Sequence, residues 1–219
     1  MKFDKIHNKG QARIFRSGQL EMLTKTHPLV ILGLYLPLVV LLPLKGIFQL
    51  GYSYVPAAGI FLSGMATWTL FEYLIHRFAF HHIANSPRAK RIIYIIHANH
   101  HEYPRDRERL FMPPVPSLFL AAVFFVVQFL LLQDAAYLFF PGFLFGYLLY
   151  GSMHYAIHAW KPPFKWMKPL WRNHHLHHYR EQEKGFGVST TFWDRVFGTM
   201  FDLSAEREDK KKVKDLMFE

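Results

Sequence analysis

The feature that most constrains this chain is the separation of its charges from long apolar runs. Residues 26–44 carry no Asp, Glu, Lys or Arg, and residues 46–71 carry none before Glu72. A helix through the first run would rise ~28 Å at ~1.5 Å per residue, close to the ~30 Å hydrocarbon core of a bilayer. Two further runs follow, and the expected spans are about 26–44, 50–72, 113–133 and 135–155. Only Gln133 and Asp134 separate the last two, so those helices must be antiparallel neighbours. The mean hydropathy of +0.05 averages this segregation away.

Four spans bring both termini and the 77–110 loop to one side. All of the 26 Lys and Arg except Lys45 fall on that side, which the positive-inside rule makes the cytoplasm. The net charge of +10 is therefore a topological signal, and no nucleic-acid partner is expected. The absence of cysteine excludes disulfides and thiolate or iron–sulfur metal sites. The first 25 residues are polar and basic, with no following apolar region and small-residue cleavage site, so no removable signal peptide is expected. The expected architecture is all-α and integral to the membrane. A cytoplasmic N-terminal segment, 1–25, precedes one domain, 26–219. In that domain four spans are capped by helical cytoplasmic regions, 76–110 and 156–205, followed by a basic tail, 206–219. Residues 161–171 mix Lys, Pro and Trp as a headgroup interface does, which makes membrane lipids partners.

Twelve of the 14 histidines lie between His76 and His178. They form four groups: His76 with His81 and His82; His97, His100 and His101; His154 and His158; and His174, His175, His177 and His178. His154 and His158, spaced i, i+4, share a helix face. The two HXXHH groups each put three imidazoles on one face, by i, i+3 and i+4. His76 and His81 are five apart, about 140° off on a helix of ~3.6 residues per turn, and reach one site only if the helix ends, bulges or bends between them. All four groups fall at the cytoplasmic membrane face. Ten imidazoles (His76, His81, His97, His100, His101, His154, His158, His174, His177 and His178) exceed the needs of one ion and suit two, with about five nitrogens each. Imidazole suits zinc, copper and iron alike, so ligand type does not choose the metal. His82 and His175 fall outside the repeated spacings, and His7 and His27 read as polar anchors. Glu72, Glu102 and Asp194 are candidate carboxylates to orient the imidazoles, although each taken singly reads as a surface or interfacial charge.

Around these histidines the stretches WTLFEYLIHRFAFH, HANHHEYPRDRERLFMPP and HHLHHYREQEKGFGVSTTFWDRVFGT resemble the fatty acid hydroxylase superfamily of membrane di-iron enzymes, and within it the fatty acyl 2-hydroxylases. The likeness covers residues 68–199. It implies one metal held by His76, His81, His97, His101 and His177, and the other by His100, His154, His158, His174 and His178. It implies hydroxylation of a long-chain acyl group, free or in a ceramide-type amide, at the carbon next to the carbonyl. The reaction would use two iron ions, O2 and two electrons, and zinc would replace iron readily in a purified sample. Several relatives carry a fused haem electron carrier. The 25 residues before the first span are too few for one, so a separate electron-donor protein is expected. The compact chain also tilts the expected location toward a bacterial cell membrane over the endoplasmic reticulum. Competing readings are a superfamily oxidase or desaturase acting on a sterol, carotenoid or acyl chain, and a non-catalytic membrane metal-binding or transport protein. The last predicts polar groups at mid-membrane depth, which the spans nearly lack.

Overall fold

A computed structural model describes residues 6–201 of the chain; the basic tail at 206–219 and the end of the cap at 202–205 lie outside the described residues. These fold into α1 (Gly18–Met22), α2 (Pro28–Phe48), α3 (Tyr54–Leu74), α4 (Pro87–Ile93), α5 (Asn99–Glu102), α6 (Pro114–Leu132), α7 (Ala136–Ala159), α8 (Lys168–Tyr179) and α9 (Phe192–Val196). Two π-helical turns, Ile75–Phe80 and Tyr94–Ala98, extend α3 and join α4 to α5. No strand occurs among the described residues.

Three helical stretches are long and apolar enough to cross a membrane: Pro28–Phe48, Tyr54–Phe80 and Arg107–Ala159. The third is two helices, because Gln133 takes φ 50° and a 3-10 turn, Gln133–Ala135, separates α6 from α7. The outward faces of α2 and α6 are apolar: Leu29, Leu41, Phe119 and Leu131 are exposed. A surface this apolar on a soluble monomer would be an aggregation site, whereas a bilayer solvates it. The chain is an all-helical integral membrane protein.

Local chemistry sets the helix ends. Pro28 opens α2 at a position where its missing N–H costs nothing, and His27 Nδ1 accepts the Leu29 N–H at 3.3 Å. His27, read as a polar anchor, is thus a helix cap. α7 is the central helix, packing most extensively on α3, then on α2 and α6. Two glycines permit the approach to α3. A Cβ at Gly64 would collide with the Phe139 carbonyl, and one at Gly142 with the Phe61 carbonyl. Small residues matter more in a membrane, where close packing replaces much of the hydrophobic drive between helices.

The contacts at each end define the helix directions. Thr26 N donates to Glu108 O at 2.8 Å, which puts the start of α2 beside the segment leading into α6. At the other end Lys45 Nζ sits 4.0 Å over the Tyr137 ring. The starts of α2 and α6 therefore lie with the ends of α3 and α7, and the histidine-bearing segments gather there.

Candidate metal centre

All ten histidines singled out by spacing converge, in two groups of five. Ring nitrogens of His76, His81, His97, His101 and His177 lie within 4.8 Å of one another, and so do those of His100, His154, His158, His174 and His178. Nine of the ten side chains are buried and His81 is partly buried. The groups adjoin, with the His101 and His178 rings stacked at 4.1 Å and 19°.

The local backbone explains how each group assembles. His76 and His81 meet through the π turn: His81 N donates to His76 O at 3.2 Å, an i to i+5 bond that stacks residues five apart as an α-helix stacks those four apart. The required bulge is that turn. The HXXHH groups each present one face, but the face serves both sites. His97 and His101, spaced i, i+4, enter the first group while His100 crosses to the second. On α8, His174 and His178 enter the second group while His177 crosses to the first. His154 and His158 on α7 complete the second group.

The nitrogen geometry suits cations. In the first group Nε2 atoms are separated by 3.2 Å (His81 and His97), 2.9 Å (His97 and His101) and 3.1 Å (His81 and His177). In the second the separations are 2.9 Å (His100 and His154), 2.9 Å (His158 and His174) and 3.1 Å (His174 and His178). A neutral imidazole carries one hydrogen, so hydrogen bonds cannot satisfy an Nε2 with two such neighbours. Moreover, the Nδ1–H of His76 donates to Phe186 O at 2.5 Å and that of His177 to Lys184 O at 2.7 Å. That tautomer leaves each Nε2 as a bare lone pair, and His76 Nε2 is buried without a hydrogen-bond partner. At metal–nitrogen distances of ~2.0–2.1 Å, ligands at right angles sit roughly 3.0 Å apart, the spacing seen. Burial holds His97, His100, His101, His174, His177 and His178 well below the usual imidazole range. They are therefore neutral, the form that ligates. The residues present fit a pair of metal ions.

The remaining histidines lie outside the two groups. His82 is exposed. His175 is buried and gives its Nδ1–H to Trp171 O at 2.6 Å. His7 stacks on Tyr103 at 5.0 Å.

The carboxylate expectation needs correcting in two ways. Backbone carbonyls, not these carboxylates, meet the Nδ1 atoms of His76 and His177. Nor are Glu72 and Asp194 surface charges, being 5% and 0% exposed. Both brace the loop that supplies those carbonyls. Glu72 accepts from Val188 N at 2.8 Å and from Ser189 N at 2.9 Å. Asp194 accepts from Phe186 N and Gly187 N, each at 2.9 Å, and from the Thr199 hydroxyl at 2.8 Å. Glu102 is a simpler case, accepting the Tyr94 hydroxyl at 2.9 Å. The sequence signal for the bracing was the glycine pair around Phe186. Gly185 has φ +72°, and a Cβ at Gly187 would strike Thr190 O and Asp194 Oδ2.

Beside the histidines an apolar cavity of about 640 Å³ runs into the helical bundle. His97, His100 and His154 form its polar end, and Phe71, Phe124, Phe143 and Leu144 line its depth. Ile14, Phe15, Leu20 and Leu23 line it on the N-terminal side. Arg109 is the one Lys or Arg in the wall described, and its guanidinium is paired with Glu21 and, at 2.5 Å, with Asp106.

Comparison with known proteins adds the lineage. Residues 61–199 match the fatty acid hydroxylase family model. The ceramide very long chain fatty acid hydroxylase of Saccharomyces cerevisiae is 40% identical over 209 residues, covering 90% of this chain and 52% of that protein. A dihydroceramide fatty acyl 2-hydroxylase of Arabidopsis thaliana is 34% identical over 206 residues, covering 94% and 86%. The fatty acid 2-hydroxylase of Rattus norvegicus is 36% identical over 215 residues, covering 89% and 58%. The chain thus spans about half the length of the yeast relative and most of the plant one. A solved structure of full-length Scs7p, with only its hydroxylase domain visible, superposes with a TM-score of 0.81 at 38% identity, covering 88% of this chain and 73% of that one. These relatives are eukaryotic, so the tilt toward a bacterial membrane has no support. Over its helical bundle and its histidine groups alike, the chain belongs to the fatty acid hydroxylase family.

Proposed function

We propose that this protein hydroxylates a long-chain fatty acyl group at the carbon next to its carbonyl, using O2 and a pair of iron ions held by the ten histidines. The observation that carries the reading is the clustering of ten imidazoles, nine of them buried, beside an apolar cavity that His97, His100 and His154 line. The names of the relatives point the same way: 2-hydroxylases of fatty acids and of dihydroceramide acyl chains. His76, His81, His97, His101 and His177 hold one ion; His100, His154, His158, His174 and His178 hold the other.

The division of labour follows from chemistry. A saturated C–H bond has no usable acidity, so general acid–base groups cannot break it. The metals, when bound, supply the oxidising chemistry that inserts one oxygen atom of O2, the other leaving as water with two electrons and two protons. The protein supplies position and dryness. The cavity aligns the acyl chain beside His97, His100 and His154, and its phenylalanines exclude water. The carbonyls of Phe186 and Lys184 keep His76 and His177 in the tautomer that offers Nε2.

In the membrane, α2, α3, α6 and α7 form four spans with the histidine end at the cytoplasm. Supporting this are the charge asymmetry and the common end shared by the starts of α2 and α6 and the ends of α3 and α7. Electrons come from a separate donor protein, and the basic cytoplasmic face would steer an acidic one.

The test is lipid analysis of membranes carrying the protein, with and without O2. A new 2-hydroxy acyl product that requires O2 supports the reading. A new double bond or an altered sterol instead would sink it.

A further inference from the structure

Segments at the edge of a domain stay loose unless tied down, and the one before α2 is tied at many points. Glu21 is the pin. Its carboxylate accepts the N–H groups of Ile14 at 2.9 Å and Phe15 at 2.7 Å, and it pairs with Arg109. Arg109 also pairs with Asp106 at 2.5 Å and donates to Thr24 Oγ1 at 3.3 Å. Asp106 in turn accepts from Ala12 N at 3.2 Å. From another side Arg91 donates to Ile14 O and covers the Phe15 ring at 5.6 Å. Buried charges cost desolvation unless further hydrogen bonds complete them, and here backbone N–H groups do so. The result is a strap, residues 12–24, held against α4 and the segment leading into α6.

The strap runs along the cavity. Leu20 and Leu23 line it, yet they are 50% and 60% exposed. Ile96 of the second π turn and Leu120 of α6 also line it, at 48% and 38% exposed. A side chain that is both cavity wall and outer surface stands at an opening. Deeper in the bundle the wall is closed, where Phe71 of α3 meets Phe124 of α6 edge to face at 5.0 Å. The level of the opening follows from the chain. Leu23 lies just before Pro28, the first residue of α2, and Leu120 soon after Pro114, the first residue of α6. That is the histidine end of the bundle, where hydrocarbon gives way to head groups. An opening rimmed by leucine and isoleucine passes hydrocarbon. It turns a charged group away, which would lose its water with nothing to replace it. Ile96 adjoins the ligand His97, so a chain that enters tail first leaves its carbonyl end beside the histidines.

We propose that the strap and the second π turn frame a lateral portal, with Leu20, Leu23, Ile96 and Leu120 as its lips, through which the acyl chain of a lipid in the surrounding leaflet enters the cavity. The proposal rests on the acyl-hydroxylase reading above. The lips govern access and leave the metal ligands untouched.

The sequence contains no cysteine, so a single introduced thiol can be labelled selectively. The experiment uses the full chain in membranes, with Leu20→Cys, Leu23→Cys and Ile96→Cys at the lips and Met22→Cys and Val115→Cys beside them. Met22 and Val115 are 68% and 71% exposed and do not line the cavity. Each variant is compared with itself before and after coupling to a bulky maleimide, so the effect of the substitution cancels. At the lips the label should lower kcat/KM for an acyl lipid by about tenfold or more, with metal content unchanged. At Met22 and Val115 it should leave turnover at the unlabelled level. A second measurement needs no turnover. A long-chain 2,2-difluoro fatty acid, which lacks the hydrogen to be replaced, should slow labelling at the lips and not beside them. No loss on labelling the lips, equal loss at Met22 and Val115, or no protection by the difluoro acid overturns the portal. If the parent makes no 2-hydroxy product while the difluoro acid still protects the lips, the acyl-hydroxylase reading fails and the portal stands.

Discussion

The two histidine groups contain the same number of the same side chain, yet they are built by different means. The second group is a product of regular helices. His154 with His158 on α7 and His174 with His178 on α8 are i, i+4 pairs, and only His100 comes from elsewhere. The first group leans on irregular structure. It needs a π turn to bring His81 under His76, and two carbonyls from the 184–186 loop to hold His76 and His177. Its His81 is also the one clustered histidine that burial leaves partly open. A helix holds its own geometry through local hydrogen bonds, whereas the loop depends on two carboxylates from other elements: Glu72 on α3, more than a hundred residues earlier, and Asp194 on α9. The first site should therefore be the more fragile of the two.

The largest effect is expected from the ligands that cross between elements. His100→Ala and His177→Ala each remove a ring supplied from outside the i, i+4 pairs. Each should drop 2-hydroxy product by more than about 100-fold, since losing a direct ligand exceeds the ~10–100-fold of an outer partner. Metal analysis of the purified variants should show about one ion lost per chain. Full activity in either variant would contradict the ligand sets.

Next comes the brace. Asp194→Ala frees Phe186 N and Gly187 N and loosens the carbonyl that holds His76. Metal affinity of the first site should fall ~10–100-fold, with the second site close to its parent value. Titration with a chelator, followed by metal content, separates the sites. Equal weakening of both would mean that the loop serves the whole cap.

The parent protein sharpens the comparison under the same chelator. The more open first group should empty before the second, through a species with one ion per chain. Thermal stability should fall with each step, because a ligand bound only to the folded state stabilises it by mass action. Loss of both ions in one step would show the sites to be coupled.

The smallest effects belong to histidines outside the groups. His27→Ala removes the α2 cap and should cost about 1 kcal/mol of stability with activity retained, as read by a melting curve beside the product assay. His82→Ala, at an exposed position, should change neither.

Much of this molecule was legible in the amino-acid order. Apolar runs free of charge required helices in a membrane, because a backbone in hydrocarbon must satisfy its own hydrogen bonds. The i, i+4 spacing of His154 and His158 placed both rings on one face, since helical periodicity is a local property. The spacing of His76 and His81 demanded a break in the helix, and the π turn is that break. Tertiary structure decided what depends on distant partners. Glu72 reads as an interfacial charge when taken alone, and becomes a brace only when Val188 and Ser189, more than a hundred residues later, bring their N–H groups to it. The same holds for the carbonyls of Lys184 and Phe186, since every residue carries one and no spacing marks which will meet an imidazole. Trp68 and Tyr147 were likewise two apolar-span aromatics among many until α3 and α7 closed on each other through Gly64, Gly142 and Gly146 and their rings met edge to face. Periodicity determines which side chains share a face; only the packing of helices determines what that face meets.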